Sequence, residues 1–203
     1  MNATLKSLIF WVVLIVVGVA IWSVSSRLER IAAEQAAAAQ PAAAQGAAVD
    51  PEAKLKELGI TLPTPGAPVA NYVNAVQTGN LLFLAGKGPL PQDGKEVVGR
   101  LGKDMTVDQG YQAARSVAIA HLAVLKKELG DLKRVTRIVK VLGMVNSDPA
   151  FTQQPAVVNG YSDLMVAVFG DKGKHARSAV GMATLPSGIP VEVEVIVEIG
   201  PVR

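Results

Sequence analysis

Apolar and polar residues alternate most regularly between Val191 and Ile199, VEVEVIVEI. Val191, Val193, Val195, Val197 and Ile199 share one parity. Glu192, Glu194 and Glu198 share the other, with Ile196 among them. Successive side chains of a strand point to opposite faces, so this pattern predicts a strand with one face on a core and one facing something wet. A second strand-like run begins at His175 and carries Arg177 and Ser178. Between the two runs, Pro186-Ser187-Gly188-Ile189-Pro190 has turn chemistry, which predicts a hairpin. With the turn centred near Gly188, Arg177 falls opposite about Ile199 and Glu192 opposite about Thr184. That separates them by roughly 23 Å at ~3.3 Å per residue, too far to meet within one chain.

Helical periodicity is clearest after Thr106. Tyr111, Ala114, Ala118, Leu122, Leu125 and Leu129 fall on one stripe, Thr106 and Gln109 fit a capping box, and Gly130 fits the residue that ends the helix. Pro155–Phe169 repeats the pattern with Val158, Tyr161, Met165 and Val168, followed by Gly170. Pro51 opens a short helix closed by Gly59, and a proline-rich connector follows over Leu62 to Pro68. Asn71–Gln77 and Leu81–Ala85 read as strands around a Thr78-Gly79-Asn80 turn, Glu96–Leu101 as a short strand, and Arg134–Asn146 as a long one. The expected architecture is an α+β two-layer sandwich, a mostly antiparallel sheet covered on one face by two helices.

The first fifty residues follow other rules. Leu8 to Ser26 is uncharged, holds Trp11 and Trp22 near its ends, and at ~1.5 Å per residue is long enough for a transmembrane helix. A cleaved signal peptide, with Lys6 as its basic start, is the competing reading. Residues 27–49 read as a tether: within them Gln35 to Val49 is rich in Ala and Gln, is broken by Pro41 and Gly46, and lacks the large side chains a core needs. The expected organisation is a tail over residues 1–7, a span over 8–26, the tether over 27–49 and one domain over 50–203. The expected location is a single-pass membrane protein with its domain on the non-cytoplasmic side.

Composition narrows the chemistry. The net charge of +3 comes without a basic run or stripe, so nucleic acid is not the expected partner. The chain has no cysteine, and its two histidines, His121 and His175, are far apart with no metal-ligand spacing, so no metal and no cofactor are expected. His121 reads as a residue of the long helix. His175 reads as exposed, with a place at the rim of a site beside Arg177 as the other reading.

Three ordered stretches, APVANYVNAVQTGNLLFLAGKGPL, DLKRVTRIVKVLGMVNSDPAF and HARSAVGMATLP…VEVEVIVEI, resemble the Rid family of reactive-intermediate deaminases, also called YjgF-like or L-PSP proteins. The resemblance runs from roughly Asp50 to the end. It implies a chorismate-mutase-like fold assembled as a homotrimer with clefts between subunits. It implies that Arg177 grips a substrate carboxylate, for which a planar guanidinium fork is suited. Glu192 matches the family's active-site glutamate, able to direct water or pass a proton. Tyr72 matches the tyrosine of the first strand, Gly86 and Ala179 match positions whose backbone lines the site, and Asn159 matches a supporting asparagine of the second helix. Ala85 stands where the archetypal deaminases have serine and Lys87 where they have glutamine, which places a cation near the mouth of the cleft. The resemblance implies hydrolysis of enamine or imine intermediates to a 2-keto acid and ammonia. A non-catalytic module that binds small carboxylates is the alternative.

Overall fold

The computed structural model describes Trp22, Ser25 and residues 27–29, 49–68 and 70–201. Helix α1 spans Pro51–Glu57, and its open N-terminal amides are met by the Asp50 side chain. Strands β1, Ala75–Thr78, and β2, Leu81–Lys87, form a hairpin across Gly79, whose φ of 57° suits a residue without Cβ. Helix α2 is Val107–Leu129 and carries the expected capping box. Gln109 N–H donates to Thr106 Oγ1 (3.3 Å), and Thr106 N–H donates to Gln109 Oε1 (2.8 Å). Strand β3 is Val135–Asn146, α3 is Gln154–Phe169, β4 is Ala176–Met182 and β5 is Val191–Ile199.

The sheet order is β1-β2-β5-β3-β4. β5 is therefore central, antiparallel to both β2 and β3, while β4 lies parallel to β3 at the edge. This corrects the predicted β4–β5 hairpin and makes the sheet mixed. The two strands do run in opposite directions, but β3 lies between them. Residues 183–190 carry the chain over that strand, a lateral step of roughly 10 Å. Two smaller expectations also change. Glu96–Leu101 forms isolated bridges only, through Leu101 to Met105 and Ser147, and β1 starts at Ala75, so Asn71–Asn74 precede the sheet.

The alternation in β5 has the consequence its parity predicts. Val191, Val193, Val195, Val197 and Ile199 are buried beneath α2 and α3. Leu82, Leu84, Ile138, Val141 and Val145 share that face, against Val117, Leu122, Val158 and Met165 from the helices. Each such side chain contributes roughly 1.5–3 kcal/mol on burial. The two helices touch where Gly160 of α3 meets the Tyr111 carbonyl of α2. One polar relay crosses this core. The Ala85 carbonyl can only accept, so His121 Nε2–H donates to it (3.1 Å), and Tyr161 O–H donates to His121 Nδ1 (3.0 Å). Burial lowers the pKa of His121 to about 4, so the ring is neutral.

The expectation of a membrane location is corrected. Among the described residues no helix is long and apolar enough to cross a membrane. The predicted span Leu8–Ser26 lies, apart from Trp22 and Ser25, outside those residues, and so does most of the tether.

Gly160→Ala tests the helix contact. Alanine ordinarily favours a helix over glycine by about 1 kcal/mol. Here its methyl meets backbone, so a loss of about 1–3 kcal/mol is expected in urea unfolding, and a gain would contradict the packing. The His121 relay gives a pH dependence. Because the native pKa is depressed, the unfolded chain binds more protons between the two pKa values, and stability falls as pH falls. Between pH 7 and pH 5 His121 alone accounts for a loss of about 2 kcal/mol. Urea midpoints unchanged over that range would contradict the relay.

Candidate functional site

Strand parity sorts the site residues into two groups. Arg177 pairs with Val141, which is buried under the helices, so its side chain lies on the helix face of edge strand β4. Glu192 pairs with Met144 and alternates with buried Val191 and Val193, so it projects from the opposite, open face. The ladder puts the two residues three positions and two strands apart, roughly 14 Å between Cα atoms. This replaces the hairpin-based separation. Within one chain they remain apart chiefly because they point to different faces.

On the helix face, α3 holds the Arg177 guanidinium. Arg177 Nη1 donates to Asn159 Oδ1 (2.9 Å) and Ser162 Oγ (2.9 Å), and Nη2 makes a long contact with the Pro155 carbonyl (3.4 Å). Asn159, matched as a supporting residue, is therefore a direct partner of Arg177. Ser162 was not singled out from sequence. Its signal was its place one helical turn after Asn159, on the same side of α3. His175, read as exposed, is half-buried. Ser162 Oγ is 3.0 Å from its Nε2 and the Gly173 carbonyl 2.7 Å from its Nδ1. Burial lowers its pKa, and the Arg177 charge adds to that. Ala179 follows on the same face beside Gly143, whose missing Cβ leaves room for Val158.

On the open face, β2 carries a bulge: Leu84 pairs with Val195 but Lys87 with Val193, so Ala85 and Gly86 together oppose Glu194. Ala85 N–H donates to the Asn74 carbonyl, and its C=O takes the His121 proton described above, so both backbone groups are committed. Glu192 lies against the backbone of Gly86, and a Cβ at that position would collide with Glu192 Oε1. Burial raises the Glu192 pKa, and Glu194 adds to that by repulsion. A carboxyl held in this way suits proton transfer near neutral pH better than an ordinary surface glutamate.

Lys87 and Tyr72 have surroundings that the sequence did not indicate. Lys87 Nζ donates to Asn74 Oδ1 (2.5 Å), and desolvation lowers its pKa. Asn74 in turn donates to the Gly66 carbonyl, so Lys87 secures the connector preceding β1. Tyr72 is in that connector, exposed and outside the first strand. The structure thus brings Glu192 and Gly86 together and puts Arg177 and Ala179 on one face of β4. It does not bring the two groups or Tyr72 into one site within a chain. Among the described residues no group of three or more His, Asp or Glu residues could hold a metal ion.

The comparisons agree with the fold. A family model described as "YjgF/chorismate mutase-like, putative endoribonuclease" matches residues 52–198. Protein TCP17 of Trypanosoma cruzi is 47% identical over 148 residues, covering 72% of this chain and 92% of that protein. A crystal structure of an Agrobacterium tumefaciens protein of unknown function is similar with a TM-score of 0.68 at 45% identity, covering 74% of this chain and 92% of that one. A "putative endoribonuclease" of Shewanella oneidensis gives 0.71 at 31% identity, covering 74% and 99%. With a mixed five-stranded sheet under two helices and a family match across nearly all of that domain, the chain belongs to the YjgF/chorismate mutase-like family.

Proposed function

We propose that the protein binds small carboxylates of the imino- and keto-acid class in clefts between copies of a homotrimer, and hydrolyses the C=N bond of an imine. The observation that carries this reading is the separation of two prepared groups. Arg177 is held by α3 on one face of the sheet, and Glu192, with its carboxyl pKa raised by burial, stands on the other. A second copy supplies the missing partner for each. The open face favours such contact: Val76, Phe83 and Val180 are exposed on it, and Leu142, Met144 and Ile196 only half-buried.

In the proposed reaction Arg177 holds the substrate carboxylate. Glu192 of the neighbouring copy takes a proton from water as the oxygen attacks the imine carbon. The C=N π electrons move to nitrogen. Glu192 then returns its proton to that nitrogen, giving a carbinolamine; it next takes the hydroxyl proton and delivers it to the nitrogen, so that the C–N bond breaks, ammonia leaves and the oxygen becomes the carbonyl of a 2-keto acid. Gly86 keeps the backbone beside Glu192 free of a side chain. Lys87, through Asn74, and the Ala85 carbonyl, through His121, stabilise the fold around this site. The full commitment of the Ala85 backbone also favours a second reading, a binding module without turnover.

Ammonia release from a freshly generated 2-imino acid tests the proposal. The protein should accelerate release, and Arg177→Ala should slow it at least about ten-fold, since a charged hydrogen bond is worth roughly 1.5–3 kcal/mol. Equal rates for the two proteins would remove Arg177 from the site. Carboxylate binding without acceleration in the wild type would leave the binding module.

A further inference from the structure

The hydrogen bonds around Arg177 determine which edge of its guanidinium is free and how proton uptake alters it. The Gly173 carbonyl has no hydrogen, so His175 Nδ1 carries the proton in that bond. A neutral ring then leaves Nε2 as an acceptor, and Ser162 O–H must donate to it. The lone pairs of Ser162 accept from Arg177 Nη1. The other Nη1 hydrogen goes to Asn159 Oδ1. Nη1 is therefore fully used, and the end-on fork of Nη1 with Nη2 is closed to a ligand. The side-on fork of Nε with Nη2 remains, opposed only by the long contact to the Pro155 carbonyl.

We propose that Ser162 and His175 are positioning residues for Arg177: they direct its Nε–Nη2 edge to the ligand carboxylate and couple carboxylate binding to protonation of His175. The inference rests on the reading of Arg177 as the carboxylate anchor. When His175 gains a proton, Nδ1–H stays on Gly173, and Nε2–H now donates to Ser162 Oγ. The serine hydrogen is displaced from the ring, and Ser162 Oγ keeps the bond from Arg177 Nη1. The carboxylate then meets a second positive charge behind the guanidinium. Linkage makes the effect reciprocal, so a bound carboxylate raises the pKa of His175.

Most of the other charges near His175 are already engaged. Arg177 on β4 faces it through Ser162. Asp171 and Lys174 from the turn before β4 pair with each other, with Lys172 exposed beside them. Asp163 on α3 accepts the Tyr111 hydroxyl, and Lys140 on β3 turns to the open face and donates to Ser178. Burial and the Arg177 charge hold His175 neutral at neutral pH, so the change comes on the acid side of the usual histidine range.

The test is pyruvate affinity from pH 8 to pH 5, over which pyruvate stays ionised, with the His175 ring followed by NMR with and without pyruvate. Wild type should bind at least about five-fold tighter at the acid end. Saturating pyruvate should raise the His175 midpoint by the corresponding amount. Ser162→Ala should weaken binding, Ser162→Thr should restore it, and His175→Gln should bind with a flat profile. A His175 midpoint unmoved by pyruvate in the wild type, or full pH dependence retained in His175→Gln, would overturn the coupling while leaving the anion site intact; Glu192 would then be the titrating group. Wild-type affinity in Arg177→Ala would instead overturn the carboxylate reading beneath it.

Discussion

A strand at the centre of a sheet must satisfy two hydrogen-bonding ladders and two faces at once, and β5 meets all four demands with nine residues. Its odd positions, four valines and an isoleucine, are buried under both helices. Its even positions stay on the open face, where Glu192, Glu194 and Glu198 keep access to water or to a partner. Shifting the register by one residue would exchange these sets and bury three carboxylates, so the ladders to β2 and β3 are strongly specified. The helices fit only against that apolar face. Their own contact, with Gly160 at the Tyr111 carbonyl, brings α3 to the edge strand where Asn159 and Ser162 hold Arg177.

The same parity governs the chemistry. A carboxylate on β5 with valine neighbours must project from the open face. An arginine on β4 registered with buried Val141 must project toward the helices. No rotamer change brings these together across the sheet. The bulge in β2 is the local exception to regular pairing. It packs Gly86 against Glu192, and its carbonyl is held by a histidine that burial keeps neutral. Exposed Phe83 and Val180 lie on the same open face as the half-buried Glu192 carboxyl, which is the surface the proposed assembly uses.

Much of this was legible in the residues. The capping box at Thr106 and the apolar stripe after it located α2 to within a residue, and the alternation in β5 assigned each of its side chains to a face. Pairing partners were not legible, because period-2 alternation records which face is buried and not which strand lies alongside. A turn after β4 and an opposite strand direction fit a hairpin and a crossing over β3 equally well. The bond that Lys87 makes was not legible for a related reason. The resemblance gave its position but not its partner, and its register with Val193 directs it to Asn74. Ser162 carried no motif, and its role arises only where α3 crosses β4.

The central claim is that one working site draws Arg177 from one copy and Glu192 from its neighbour. Mixing two inactive variants tests it directly. Arg177→Ala and Glu192→Ala would be unfolded together, refolded at equal ratio, and assayed for ammonia release from a 2-imino acid. In a randomly mixed trimer about a quarter of the clefts pair an intact Arg177 with an intact Glu192, so about a quarter of the wild-type rate should return. No recovery above either variant alone, with mixed assemblies demonstrated by mass, would show that both residues must come from the same chain and would contradict the account.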